Sequence, residues 1–66
     1  MNGRESDLLK YLSSKIQEEV EVLKTDTALG KAKDIGEYKY ACGIIRGLLL
    51  ANDILIQTAE RMKLDE

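Results

Sequence analysis

The sequence predicts an all-α protein: an antiparallel helical hairpin with a longer second helix, completed by oligomerisation or by a partner protein. Three observations lead there. Leu, Ile, Lys, Glu and Ala dominate the 66 residues and Pro, Trp and Phe are absent, a helix-favouring composition. Apolar residues recur at helical spacing on either side of the segment 25–33 (TDTALGKAK), which breaks the pattern. The segment 41–56 (ACGIIRGLLLANDILI) carries only Arg46, Asn52 and Asp53 as strongly polar residues. It is too apolar for a lone surface helix, and too short and too charged for an ordinary membrane span of about 20 apolar residues.

The first helix is expected over about 7–24. Met1 to Glu5 is polar and contains Gly3, which reads as a frayed end. Ser6 fits an N-cap, and the Asp7 charge suits the first turn. Leu8, Leu9, Leu12, Ile16, Val20 and Leu23 form a one-sided stripe, with Ser13, Ser14, Gln17, Glu18 and Glu21 on the opposite face. Thr25, Asp26 and Thr27 are poor helix-interior residues, which supports an end near Lys24. A helix running through Leu29 to a Gly30 cap is the alternative.

The turn is placed at about 25–32 and the second helix at about 33–63, with Asp34 suited to its start and Arg61 and Lys63 to its end. At 1.5 Å per residue the second helix is about 45 Å long and the first about 27 Å. On those lengths the first helix covers the second only to about Ala51. Ile54, Leu55, Ile56, Ala59 and Met62 are then left for another chain. The wheel points the same way. One seam reads Ile35, Tyr38, Cys42, Ile45, Leu49, Asn52, Ile56, Ala59; a second, adjoining seam reads Ala41, Ile44, Leu48, Ala51, Leu55, Thr58, Met62. Together they span roughly 200°, where one covering helix needs a stripe of about 100°.

Within these seams Asn52 either fixes register and oligomer state, as a lone polar residue in an apolar seam can, or sits at an edge bonded to water. Gly43, Gly47 and Ala51 recur every four residues. They leave a shallow groove where a helix or a large side chain approaches the backbone. Each interior Gly costs about 1 kcal/mol in helix propensity, so the pair points to a contact that needs the space. Tyr40 lies on the same side and can fill such a groove in a neighbouring copy. The expected interface is therefore Tyr40, Gly43, Gly47, Ala51, Asn52, Leu55, Ile56, Ala59 and Met62.

A chain this short is marginal alone and ordinarily needs disulfides, a metal or association. Cys42 is the only cysteine and there is no His. An internal disulfide is thus excluded, a zinc site has no ligand set, and no nucleophile–base pair can be assembled. No cofactor, metal or catalytic residue is expected. Cys42 falls on an apolar seam and reads as a small core residue. Glu18, Glu19 and Glu21 read as a solvated face. The net charge of −2 favours neither nucleic acid nor an anionic membrane. Lys24, Lys31, Lys33 and Lys39 gather near the turn, but Asp26, Asp34 and Glu37 dilute them.

The segment Lys31 to Leu48, KAKDIGEYKYACGIIRGL, resembles one found in small uncharacterised proteins of tailed bacteriophages. There an AKD-x-x-EYKY-like entry is followed by a Cys-Gly or small-Gly pair and an IRGL-like stretch, then an apolar helix and an acidic end. The matching positions are Ala32, Lys33, Asp34, Glu37, Tyr38, Lys39, Tyr40, Cys42, Gly43, Ile45, Arg46, Gly47 and Leu48. The likeness covers roughly the second half of the chain and implies a viral setting, often among virion or assembly genes, with no catalytic residue. The expectation is a non-enzymatic phage virion or assembly protein, located in the virion or the host cytoplasm. It is a homo-oligomer that packs on a larger phage structural protein, with no membrane or nucleic-acid partner. The alternatives are a regulatory binder that inhibits a host enzyme or polymerase, and a DNA-binding dimer whose affinity falls steeply with salt.

Overall fold

Two helices, α1 (Gly3–Ala28) and α2 (Ile35–Asp65), pack against each other as the predicted hairpin. The computed structural model describes residues 3–65, with side chains from 4 to 63. Met1 and Asn2, expected to fray, lie outside the described residues.

Both helices run further than expected at the outer end of the hairpin, and α1 also runs on at its turn end, while α2 starts two residues later than expected and so keeps its expected length of 31 residues. At that end α1 passes Thr25, Asp26 and Thr27. The Thr27 hydroxyl donates to the Leu23 carbonyl at 2.8 Å, which satisfies it within the helix. The end is the Gly30 alternative. Gly30 has φ of 77°, its N–H donates to the Thr27 carbonyl at 3.1 Å, and the Lys31 N–H donates to the Asp26 carbonyl at 3.1 Å. These two bonds around a left-handed residue form a Schellman cap, and a Lys31–Asp26 ion pair at 3.1 Å closes over it.

α2 begins at Ile35 because Asp34 is its N-cap. The Asp34 carboxylate accepts the Glu37 N–H at 2.8 Å, and the Glu37 carboxylate reaches back to the Lys33 N–H at 2.5 Å. The carboxylates thus satisfy two backbone donors around the helix start, in the manner of a capping box.

At the other end α1 starts at Gly3, so Ser6 is a helix-interior residue and not the cap. Its role is in packing. The buried residues are Ser6, Ser13 and Val20 from α1, and Asn52 and Ala59 from α2. On each arm they are seven residues apart. The Ser13 hydroxyl donates to the Asn52 side-chain carbonyl across the seam. Stepping one heptad outward from that layer sets Ser6 level with Ala59; one heptad inward sets Val20 level with Ile45. Small side chains at these positions let the helices come close. Ser13 was expected on the solvent face of helix 1, and it is buried instead. The larger Leu8 and Leu12 of the expected stripe are exposed.

The longer α1 also revises the expected uncovered third of α2. Ala59 is 4 % exposed, and Leu55 and Met62 are half-buried. Ile54, at 65 %, and Ile56, at 39 %, stay exposed there.

The polar layer and the turn each carry a prediction. Ser13→Ala and Asn52→Ala should each destabilise the fold by about 1–2 kcal/mol, and a double-mutant cycle should show coupling of about 0.5–1.5 kcal/mol. Urea unfolding measures this, and strictly additive losses would mean the bond does not hold the arms together. At Gly30 an added Cβ meets nothing within 4 Å, so Gly30→Ala should cost about 1 kcal/mol from backbone conformation alone. No loss of midpoint would place the turn in another conformation.

Candidate association surface

The seam at Ser13 and Asn52 divides the remaining surface into three faces. Reversing the direction of a right-handed helix mirrors its wheel. Residues three places after the seam therefore lie on the same side of the hairpin in both arms. On α1 these are Leu9, Ile16 and Leu23; on α2 they are Ala41, Leu48, Leu55 and Met62, and all are half-buried. In the register set by Ser13 and Asn52, Leu9 falls level with Leu55, Ile16 with Leu48 and Leu23 with Ala41. Leu12 and Ile44, at 42 % and 36 % exposed, border this stripe on its two outer edges.

The opposite flank is mixed. It sets Lys10, Gln17 and Lys24 of α1 near Cys42, Leu49, Ile56 and Lys63 of α2. A shallow groove at the seam is lined from this side by Lys10, Ile56 and Lys63 and reaches Leu9 and Leu55 of the stripe. Gln17 donates to the Ser13 hydroxyl at 3.1 Å, which closes the polar layer from this side. The Lys63 side chain, first as a hydrogen-bond partner and then as a like charge, holds the Lys10 ammonium below its ordinary pKa, against a raising effect of Asp7.

The third face is the back of α2, turned away from α1. Tyr40, Leu50 and Ile54 stand out from it, and Gly43 and Gly47 lie between them. A Cβ added at either glycine meets nothing within 4 Å, so these glycines serve no contact inside the hairpin.

The nine expected interface residues are thus spread over four places. Ala51, Leu55 and Met62 border or line the stripe. Tyr40, Gly43 and Gly47 lie on the back of α2, and Ile56 is on the mixed flank. Asn52 and Ala59 are buried in the seam between the arms, where Asn52 accepts from Ser13. The contribution of α1, through Leu9, Ile16 and Leu23, was missed. Its signal was the seven-residue spacing of Ser6, Ser13, Val20 and Thr27, matched by Ile45, Asn52 and Ala59. Cys42 is exposed and not a core residue, because the seam passes one turn to its side through Ile45.

By length and composition alone, Ile35–Lys63 of α2 suffices to cross a membrane. α1 lies along α2 and carries two exposed ion pairs, Lys15 with Glu18 and Lys24 with Glu21. Arg46 and Asp53 on α2 would each cost about 2.5–3.5 kcal/mol at a bilayer centre.

Comparison with family models, with curated proteins and with solved structures finds no match.

The lysine pair gives a test of the hairpin register. Lys10 has a folded-state pKa below its unfolded value, so the unfolded chain binds more protons between the two and stability rises with pH through that window. Lys63→Glu replaces the repulsion with attraction. It should raise the melting temperature at pH 7 and flatten the rise towards pH 10; an unchanged melting profile would separate the two side chains.

Proposed function

We propose that this protein is a small, non-enzymatic virion or assembly protein of a tailed bacteriophage, which self-associates through α2 and packs on a larger structural protein. One observation carries the association: the most apolar helix of the chain is the one left most open. Among the described residues only Val20 and Ala59 are buried apolar residues, while Leu49, Leu50, Ile54 and Ile56 of α2 are exposed. A helix so placed finds its stability in contacts with other chains. The viral setting is supported by the likeness of Lys31 to Leu48 to the phage segment, whose glycines and Tyr40 fall on the open back of α2. No His is present and the lone Cys42 is exposed, a poor starting set for catalysis.

The test is fractionation of particles from the phage that encodes the protein, through a density gradient, with the protein followed by antibody. Co-sedimentation with particles or assembly intermediates at fixed stoichiometry is expected. Recovery only in the soluble fraction, bound stoichiometrically to a host enzyme, would replace this reading with that of a regulatory binder.

A further inference from the structure

We infer that two copies of this chain pack stripe to stripe into an antiparallel four-helix bundle, joined by Leu9, Ile16 and Leu23 of α1 and Leu48, Leu55 and Met62 of α2. The inference rests on the self-association proposed above and deepens it. It moves the copy-to-copy contact off the glycine face and onto a surface that both arms build.

Area is the first argument. The chain exposes 5191 Å². A folded monomer of 7.4 kDa ordinarily exposes about 4200 Å², so the excess is about 1000 Å² per chain. A stable standard-size complex buries about 800 Å² on each partner. The hairpin is 49 Å long and, at about 10 Å per helix, about 20 Å wide, so one broad face holds on the order of 1000 Å². One copy on one face removes the excess.

Symmetry is the second argument. A two-fold contact needs a surface complementary to itself. The stripe meets this: its layers repeat every seven residues on both arms, as the packing of a four-helix bundle requires. The mixed flank is less apt, because Lys10, Gln17, Lys24 and Lys63 interrupt it with polar side chains where the stripe is wholly apolar.

Charge then chooses between the two ways of stacking. The outer edge of α1 beside the stripe bears Glu19 with Leu12, and that of α2 bears Ile44, Ala51 and Thr58. Stacking α1 on the partner's α1 sets an acidic edge against itself. Stacking α1 on the partner's α2 sets it beside a neutral edge with Arg61 close behind, and like-charge contact is avoided. The two-fold axis therefore runs along the helices. In this arrangement Leu49 and Ile56 of the mixed flank and the back of α2, with Tyr40, Leu50 and Ile54, stay outside the dimer and are left for the larger protein.

The experiment is light scattering across a concentration series with circular dichroism alongside, on the wild-type chain and on Leu12→Lys, Ile44→Lys and Gly47→Leu. Leu12 and Ile44 are exposed in the hairpin, so lysine there leaves the monomer folded; if one variant loses helix, the other carries the test. The wild type should weigh twice 7.4 kDa. Each lysine variant should stay helical and dimerise at least about tenfold more weakly, as expected for losing one buried apolar side chain. Gly47→Leu should dimerise as the wild type does. If Gly47→Leu dissociates and the lysine variants do not, the stripe is not the contact and this inference fails, while self-association through α2 stands. A helical wild-type monomer at every concentration also overturns it. Packing on the larger protein is then decided by the particle fractionation alone.

Discussion

The fold turns on how closely its two helices approach. Ser6, Ser13, Val20, Asn52 and Ala59 are the buried set, and none has a bulky side chain. A seam of this kind forfeits most of the hydrophobic stabilisation that leucines would supply there. In exchange it gains a polar layer, Ser13 with Asn52 and Gln17. That layer fixes register: sliding the arms by one turn would leave the buried Asn52 facing apolar side chains. Every other feature of the surface follows from it. With the seam taken by small residues, the large ones are pushed to the flanks and the back, where they meet solvent or another chain.

Much of this was legible in the sequence. Two helices, their antiparallel packing, and an α2 with more apolar arc than one neighbour can cover were all read from spacing, and the two-helix fold is as expected. The Asp34 start and the Gly30 stop were both visible as residue types. What misled was the equation of apolar with inward. The helix 1 stripe was drawn through Leu8 and Leu12, because hydrophobicity was taken to mark the seam. In a seam built from small residues the marker is size and the seven-residue period, and serine scores as solvent-facing on any hydropathy scale. The same bias took Ser6 for a cap and so shortened α1, which left Ala59 seemingly uncovered.

The candidate surface was legible in part for the same reason. The open faces of α2 were found because their residues are apolar, but they were assigned as one interface. Only the fold shows that Ala51, Leu55 and Met62 face a different way from Tyr40, Gly43 and Gly47, with Asn52 and Ala59 between the arms. The stripe across both helices needs the register of one against the other, which the Ser13–Asn52 contact supplies and no single-helix wheel contains.

The matched seven-residue period of the two arms makes the hairpin a ruler with a fixed graduation. Removing seven residues from α1 and the seven that face them in α2 brings every remaining layer back opposite its old partner, and shortens the rod by about 10.5 Å. Removing a number far from a whole count of helical turns rotates one arm against the other and scrambles the faces. Length in this architecture is therefore heritable only in whole steps, and related hairpins of different span should differ by paired heptads with their turn and their open faces unchanged.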